Sequence, residues 1–275
     1  MTATSGFRLF LRNRRLSWPP AVFLMLVTLL AVPAQARDLV VSGEPTLATA
    51  LGHVGAAWRQ RSGVRVNVFV APTDLSLAQI ERGARCDALF AIAGPALDDG
   101  ERRGIVKTPS SPLIVRNGLV LVTRRPFTGS VSTADREALA VVLRGKSVAI
   151  ANPDRDVAGL HGRAWLQQLD GRYNGDKTLR VAESAAGVVT LLNDKVVDFG
   201  IVYDTDAAAY AGIAVVATIP EQSYPAIRYV AAAAMDPQSD LKPFMTFLQS
   251  QQAKSILQAT GLQVESSRAS EGRAP

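Results

Sequence analysis

Short apolar runs of strand length alternate with helix-period patterns through almost the whole chain, and that alternation restricts the fold more than any other feature. Leu39 to Ser42 reads as a strand; Leu47, Ala50, Leu51, Val54, Ala57 and Trp58 then recur at helical spacing until Gly63 stops them. Val64 to Val70 is a second strand, a helix from about Leu75 to Arg82 follows, and Cys86 to Ile92 is a third strand. A β-α-β-α-β order demands a parallel sheet with right-handed crossovers.

The apolar run from Leu113 to Thr123 is too long for one such strand and is broken by Arg116-Asn117-Gly118, so it is expected to pass from one lobe to another. A second alternating set follows: a helix around Thr133 to Leu143, a strand at Ser147 to Ala151, and helices at about Leu160 to Leu169 and Val188 to Asp194. The run Val197 to Val202 then ends at Tyr203, and Asp204-Thr205-Asp206 starts the next helix. Ile213 to Ala217 reads as a strand and Ile227 to Ala234 as the second crossing; helices near Leu241 to Leu248 and Gln251 to Thr260 close the fold at Gly261. Glu265 to Pro275 is polar, small and charged, and a disordered tail is expected over 263–275. The expectation is two α/β lobes, each a mainly parallel sheet flanked by helices: one from 37–117 plus 229–262, the other from 118–228. Two extended crossings between them leave a cleft, the default ligand site.

Residues 1–36 read as a secretory signal peptide rather than as part of the fold. Arg8, Arg12, Arg14 and Arg15 make a basic start, Ala21 to Val32 is apolar but short for a membrane span, and Ala34-Gln35-Ala36 supplies a cleavage site. Arg14-Arg15 invites a twin-arginine reading, but its flanks fit general secretion better. The leader holds four of the thirty basic residues and no acidic one, so the chain after it carries a balance of only +2. A nearly neutral chain gives no electrostatic case for nucleic acid or a membrane surface.

Enzyme signatures are missing: there is no Gly-x-Ser-x-Gly, no phosphate-binding loop, no Gly-x-Gly-x-x-Gly and no metal-like His or Cys cluster. The single cysteine, Cys86, lies in a strand-like run and reads as a buried side chain; His53 and His161 fall on helices and read as packed or surface residues. What the sequence does supply is a set of helix starts just after strand ends: Thr46, Thr73, Ala158-Gly159 and Ala185-Ala186-Gly187. Unpaired backbone N–H groups and the positive end of the helix dipole make each start an anion donor. Tyr203 adds a hydroxyl at a strand end, where ligands of open α/β sheets bind. Neutral donors of this kind hold an oxyanion without Lys or Arg, although a Thr before a helix is also an ordinary cap.

On these residues the chain resembles the periplasmic molybdate-binding proteins of ABC importers, within the type II periplasmic-binding fold. The likeness runs from about Asp38 to Leu262. It rests on Thr46-Leu47, Leu77 to Ala84 leading to Asp87, Asn152-Pro153 to Ala158-Gly159, Ala182-Glu183 to Gly187, and Gly200-Ile201-Val202-Tyr203. The resemblance implies a two-lobed clamshell that captures molybdate or tungstate in the periplasm and presents it to an ABC permease and ATPase. It implies no cofactor, no direct metal-ion ligand, no nucleic-acid partner and a monomer. The family's two oxyanion-binding serines would fall on Thr46 and Thr73, its backbone donors on Ala158 and Ala185, and its tyrosine donor on Tyr203.

Two acids depart from that pattern. Glu44 stands in the first loop and Asp74 in the second, beside Pro72, which lacks an N–H. A carboxylate facing a buried dianion would cost on the order of 4 kcal/mol per charge pair at an effective dielectric of about 20. Either both acids point away from the ligand or the ligand is not molybdate. The alternatives are therefore the same fold with a different ligand, or an exported ligand sensor or interaction module.

Overall fold

The computed structural model describes residues 37–127, 129, 131, 136–169, 178–237 and 241–265. The expected leader over 1–36 lies outside them, as does the start of the helix expected from Thr133. No helix among the described residues is long and apolar enough to cross a membrane.

The first sheet is built around β1 (Leu39–Gly43), whose five residues are all buried because parallel neighbours flank it on both sides: β2 (Val66–Val70) and β3 (Ala88–Ile92). Between β1 and β2 the chain makes a 3₁₀ turn at Pro45–Leu47 and then α1 (Ala48–Ser62), which buries Ala50, Leu51, Val54, Ala57 and Trp58 and ends at Gly63 with φ 76°. Trp58 packs on Phe244 and Phe247 with ring centroids 5.7 and 5.3 Å away. Next, α2 (Thr73–Glu81) joins β2 to β3, and α3 (Pro95–Arg102) and β4 (Val106–Lys107) follow.

The long run breaks where the sequence suggested. β5 (Ile114–Asn117) belongs to the first sheet and β6 (Leu119–Arg124) to the second, so Gly118 is the crossing. A Cβ on Gly118 would lie 2.2 Å from an oxygen of Asp204, whose N–H donates to the Gly118 carbonyl at 3.0 Å. After α4 (Arg136–Leu143) come β7 (Val148–Ala151), α5 (Val157–Leu169), β8 (Leu179–Ala182), α6 (Ala185–Asn193), β9 (Phe199–Tyr203), α7 (Asp204–Ala209) and β10 (Ile213–Thr218). In this sheet β8 and β9 run parallel to β7, and β6 pairs antiparallel with both β9 and β10, so that β10 runs in the direction of β7; the order is β10-β6-β9-β7-β8.

Ile227 to Ala234, expected as the second crossing, is instead β11 (Ile227–Ala234), a strand of the first sheet paired antiparallel to β3, β4 and β5. The chain crosses back just before it, between β10 and β11. Helices α8 (Lys242–Leu248) and α9 (Gln251–Ala259) close the first unit, and β12 (Gln263–Val264) pairs with β5. The tail expected over 263–275 thus begins as a strand, held because β5 offers it an open edge; residues 266–275 lie outside the described ones. Both sheets are mixed: parallel sets (β2-β1-β3 and β9-β7-β8) are extended by antiparallel pairing where β11 and β6 join them.

Candidate functional site

Parallel strands deliver their carboxyl ends to one edge, and in the first sheet that edge carries Glu44 after β1, Thr73 after β2 and Ile92 at the end of β3. Thr73 is the first residue of α2 and is 3 % exposed. Its backbone N–H and its hydroxyl both donate to one oxygen of Glu44, at 2.7 and 2.5 Å, and the same hydroxyl accepts the N–H of Ile92 at 2.9 Å. A carboxylate from 29 residues upstream therefore caps this helix, where an incoming anion would sit. Burial raises the Glu44 pKa above the usual carboxylate value, and Asp74 and Asp156 add to that, against the opposing effect of the Thr73 hydrogen bonds. Asp74 itself is exposed and accepts the N–H of Leu75 at 2.8 Å, the posture of a residue that only complements a helix dipole.

The second sheet repeats the arrangement. After β7, Asp156 precedes α5, and its Oδ1 accepts the N–H of Ala158 at 2.8 Å and the hydroxyl of Tyr203 at 2.9 Å. The Ala158 N–H also reaches the Tyr203 oxygen at 3.1 Å. Tyr203 ends β9 and is 4 % exposed; burial, then the surrounding negative charge, drives its pKa well above the ordinary phenol value. Gly159 lets α5 start against β7: a Cβ there would fall 2.2 Å from the carbonyl oxygen of Ala151.

The sequence-derived candidates thus fall at four places: Thr73, the Ala158–Tyr203 pair, Thr46 and Ala185. Thr73 and the Ala158–Tyr203 pair each surround a carboxylate. Thr46 bonds instead to the hydroxyl of Tyr229, oxygen to oxygen 2.9 Å. Tyr229 is buried in β11 with its pKa pushed up to about 12, mainly by burial, and it feels the charges of Glu44 and Asp156 from the two sides. Ala185 heads α6 on the same edge and is buried, with Ser184 capping that helix through the Gly187 N–H at 3.3 Å; among the described residues no hydrogen bond joins it to the other clusters. Nearby, Asn117 at the crossing donates to Thr205 at 3.0 Å, tying the two units together.

Of the two acids, Asp74 turns to its own helix, whereas Glu44 does not point away: it occupies the donors of Thr73 itself, which overturns the first of the two alternatives. Asp156 and Tyr229 were not anticipated. Asp156 carried a readable signal, an acidic residue two positions before a helical Ala, whereas Tyr229 sits within a strand and looks like core.

Asp206 lies behind this cluster. Its Oδ2 accepts the Tyr203 N–H at 3.2 Å, and its pKa is raised to about 6, by burial first and by Asp156 next. Because the folded value lies above the unfolded one, its stabilising contribution is complete below about pH 4 and is lost as pH rises through about 6. Asp206→Asn keeps an acceptor for Tyr203 and cannot ionise. The variant is expected to gain about 2 to 3 kcal/mol relative to the parent protein between about pH 4 and pH 7, read by urea unfolding at each pH. An equal pH dependence in both proteins would refute this.

The residues set aside as structural sit accordingly. Cys86 is buried, its thiol donates to the Ala88 carbonyl at 3.1 Å, and burial pushes its pKa to about 11. His161 stacks on Tyr224 with ring centroids 5.5 Å apart, and burial lowers its pKa. A cavity of about 260 Å³ is lined by Thr46, His53, Asp206 and Tyr210 among others, and neither Thr73 nor Ala158 lines it. Among the described residues no group of three or more His, Cys, Asp or Glu is placed to hold a metal ion.

Comparison with known proteins agrees with this architecture. The chain is 26 % identical over 234 residues to the molybdate-binding protein ModA of Escherichia coli (strain K12), covering 84 % of this chain and 91 % of that one. It is 23 % identical over 231 residues to the ModA of Haemophilus influenzae, covering 83 % and 91 %. The solved periplasmic molybdate-binding protein of Azotobacter vinelandii superposes with a TM-score of 0.66 at 19 % identity, covering 83 % of this chain and all of that one, so the type II periplasmic-binding fold is shared. Residues 39–263 match the family model described as bacterial extracellular solute-binding protein, and the chain belongs to that family.

Proposed function

We propose that this protein is a periplasmic solute-binding protein that captures an oxyanion, molybdate or tungstate before others, and delivers it to an ABC permease and its ATPase. The observation that carries this reading is the pair of donor sets, Thr73 in one unit and Ala158 with Tyr203 in the other, each already holding a carboxylate oxygen. A carboxylate is itself an oxyanion, so these donors suit one in chemistry and geometry alike. Thr46 and Ala185 complete the proposed ligand shell, which touches only oxygen atoms and offers no direct metal-ion ligand. The units 37–117 plus 229–262 and 118–228 would act as the closing lobes of a monomer. The two relatives named for molybdate binding support the choice of anion. Calorimetric titration of the purified protein with molybdate, tungstate, sulfate and phosphate tests it. The first two are expected to bind at least about a hundredfold more tightly than the others, a gap of about 2.7 kcal/mol; no heat with either would sink the reading.

The inward-facing Glu44 and Asp156 favour one second reading, a ligand that brings hydrogen-bond donors or positive charge to meet them. Native mass spectrometry of the protein taken from its own periplasm tests this, since finding molybdate alone would remove it.

A further inference from the structure

Glu44 and Asp156 come from different units, sit at helix starts, and each occupies the donors assigned above to an oxyanion. Both contacts are made with two donors at once, so neither carboxylate is incidentally nearby. Resting on the oxyanion reading, we propose that Glu44 and Asp156 gate anion capture and that Glu44 makes it proton-coupled: the anion takes over the donors only as Glu44 is protonated and Asp156 is swung aside.

The physical basis is competition for a fixed set of N–H and O–H groups. Thr73 has one N–H and one O–H proton, both directed at Glu44, and its hydroxyl oxygen is already used by Ile92. Ala158 has a single N–H, shared between Asp156 and Tyr203. A dianion cannot receive these protons while the carboxylates keep them, and it cannot rest beside two ionised carboxylates in a half-buried cleft without strong repulsion. Proton uptake at Glu44 removes both obstacles there, because a protonated carboxyl becomes a donor to the anion instead of its rival.

The surroundings of Glu44 favour the proton. Glu44 faces Asp74 from α2, Asp156 from the start of α5 and Tyr229 from β11; Asp156 faces Tyr203 from β9, Asp206 from α7 and Glu44. Arg155, next in sequence to Asp156, is exposed and paired with the exposed Glu183 at 3.7 Å. Neither Glu44 nor Asp156 has a salt bridge among the described residues. Burial raises the Glu44 pKa, which places its protonation nearer to neutrality than that of a solvated carboxylate. The sign follows: anion affinity rises as pH falls.

Calorimetry with molybdate and tungstate in two buffers of different ionisation enthalpy measures protons taken up on binding. The purified protein is expected to take up about one proton per anion near neutral pH, with affinity falling about tenfold per pH unit above it. Glu44→Gln with Asp156→Asn keeps both caps as acceptors without charge; this variant is expected to bind at neutral pH at least about tenfold more tightly and to lose the proton uptake and most of the pH slope. Buffer-independent heats and a flat affinity in the parent protein, with molybdate bound, would overturn proton coupling while leaving the oxyanion reading intact. Failure of both proteins to bind either anion at any pH would overturn both. If the double variant does not fold, by its thermal transition, the parent protein's buffer dependence and the single Glu44→Gln variant decide.

Discussion

Replacing Gly159 with alanine is expected to lower the melting temperature by roughly 6 to 12 °C and to abolish oxyanion binding at the same time. The added Cβ would lie 2.2 Å from the Ala151 carbonyl oxygen, 2.7 Å from its carbon and 3.0 Å from the Asn152 carbonyl carbon. All three are backbone atoms of β7 and the turn after it, and no side-chain rotation can relieve them. The start of α5 must lift away from the sheet, at a cost of about 3 kcal/mol or more. For a chain of this size each kcal/mol moves the melting point by about 2 to 4 °C, which gives the range stated. Binding falls too because Ala158, the adjoining residue, presents its N–H from the segment that must move. Gly52→Ala is the control: its Cβ meets nothing within 4 Å on the exposed side of α1, and alanine favours a helix by about 0.5 to 1 kcal/mol over glycine. Differential scanning calorimetry on both variants tests the contrast. An unchanged melting point for Gly159→Ala would show that α5 does not depend on this close approach.

The fold was legible because each buried strand is an uninterrupted apolar run and each helix repeats its apolar residues at helical spacing. Leu39–Gly43 and Phe199–Tyr203 are buried at every position, so nothing in their sequence competes with the strand reading. Leu179–Ala182 escaped notice because it is an edge strand with two exposed and two half-buried residues, too polar and too short to stand out. Pro95–Arg102 was missed although Gly94-Pro95 is a helix-start signal, since its apolar face amounts to little more than Leu97. Helix α2 begins two residues before its expected start, and the cause is non-local: its cap is Glu44, which sequence reading could place near the ligand but not aim.

The candidate site was legible in its backbone and less so in its acids. Thr73, Ala158 and Tyr203 each donate to a carboxylate oxygen of the chain itself, a use of these donors that the helix starts did not specify. Thr46, which local sequence treats as equivalent to Thr73, differs because β11 brings Tyr229 to within hydrogen-bond distance of its hydroxyl, a contact spanning 183 residues. The carboxylates explain how a neutral, lysine-free set of donors persists without collapse. Buried N–H groups left without acceptors are costly, and Glu44 and Asp156 satisfy them. The same satisfaction means that an oxyanion captured as proposed would bind by exchange rather than by simple addition.

Exchange fixes what Tyr203→Phe should do, and the prediction depends on the background. In the parent protein the hydroxyl donates to Asp156 before capture and, in the proposed complex, to the oxyanion after it. Removing it weakens both partners, so the two losses largely cancel and the affinity should change by less than about fivefold, under about 1 kcal/mol. In an Asp156→Ala background nothing competes for the hydroxyl before capture, and its loss is felt only in the complex. A donor to a charged group contributes about 1.5 to 3 kcal/mol, so Tyr203→Phe should there weaken molybdate binding by roughly 10- to 100-fold. Asp156→Ala also removes a helix cap worth about 1 kcal/mol, which a thermal melt will register separately and which affects both members of the pair equally. The coupling between positions 156 and 203, read by calorimetry as a double-mutant cycle, is therefore expected at about 1 kcal/mol or more. If Tyr203→Phe leaves affinity unchanged in the Asp156→Ala protein, the hydroxyl serves only Asp156 and the oxyanion is held by the backbone donors of α5 and the Thr73 pair alone.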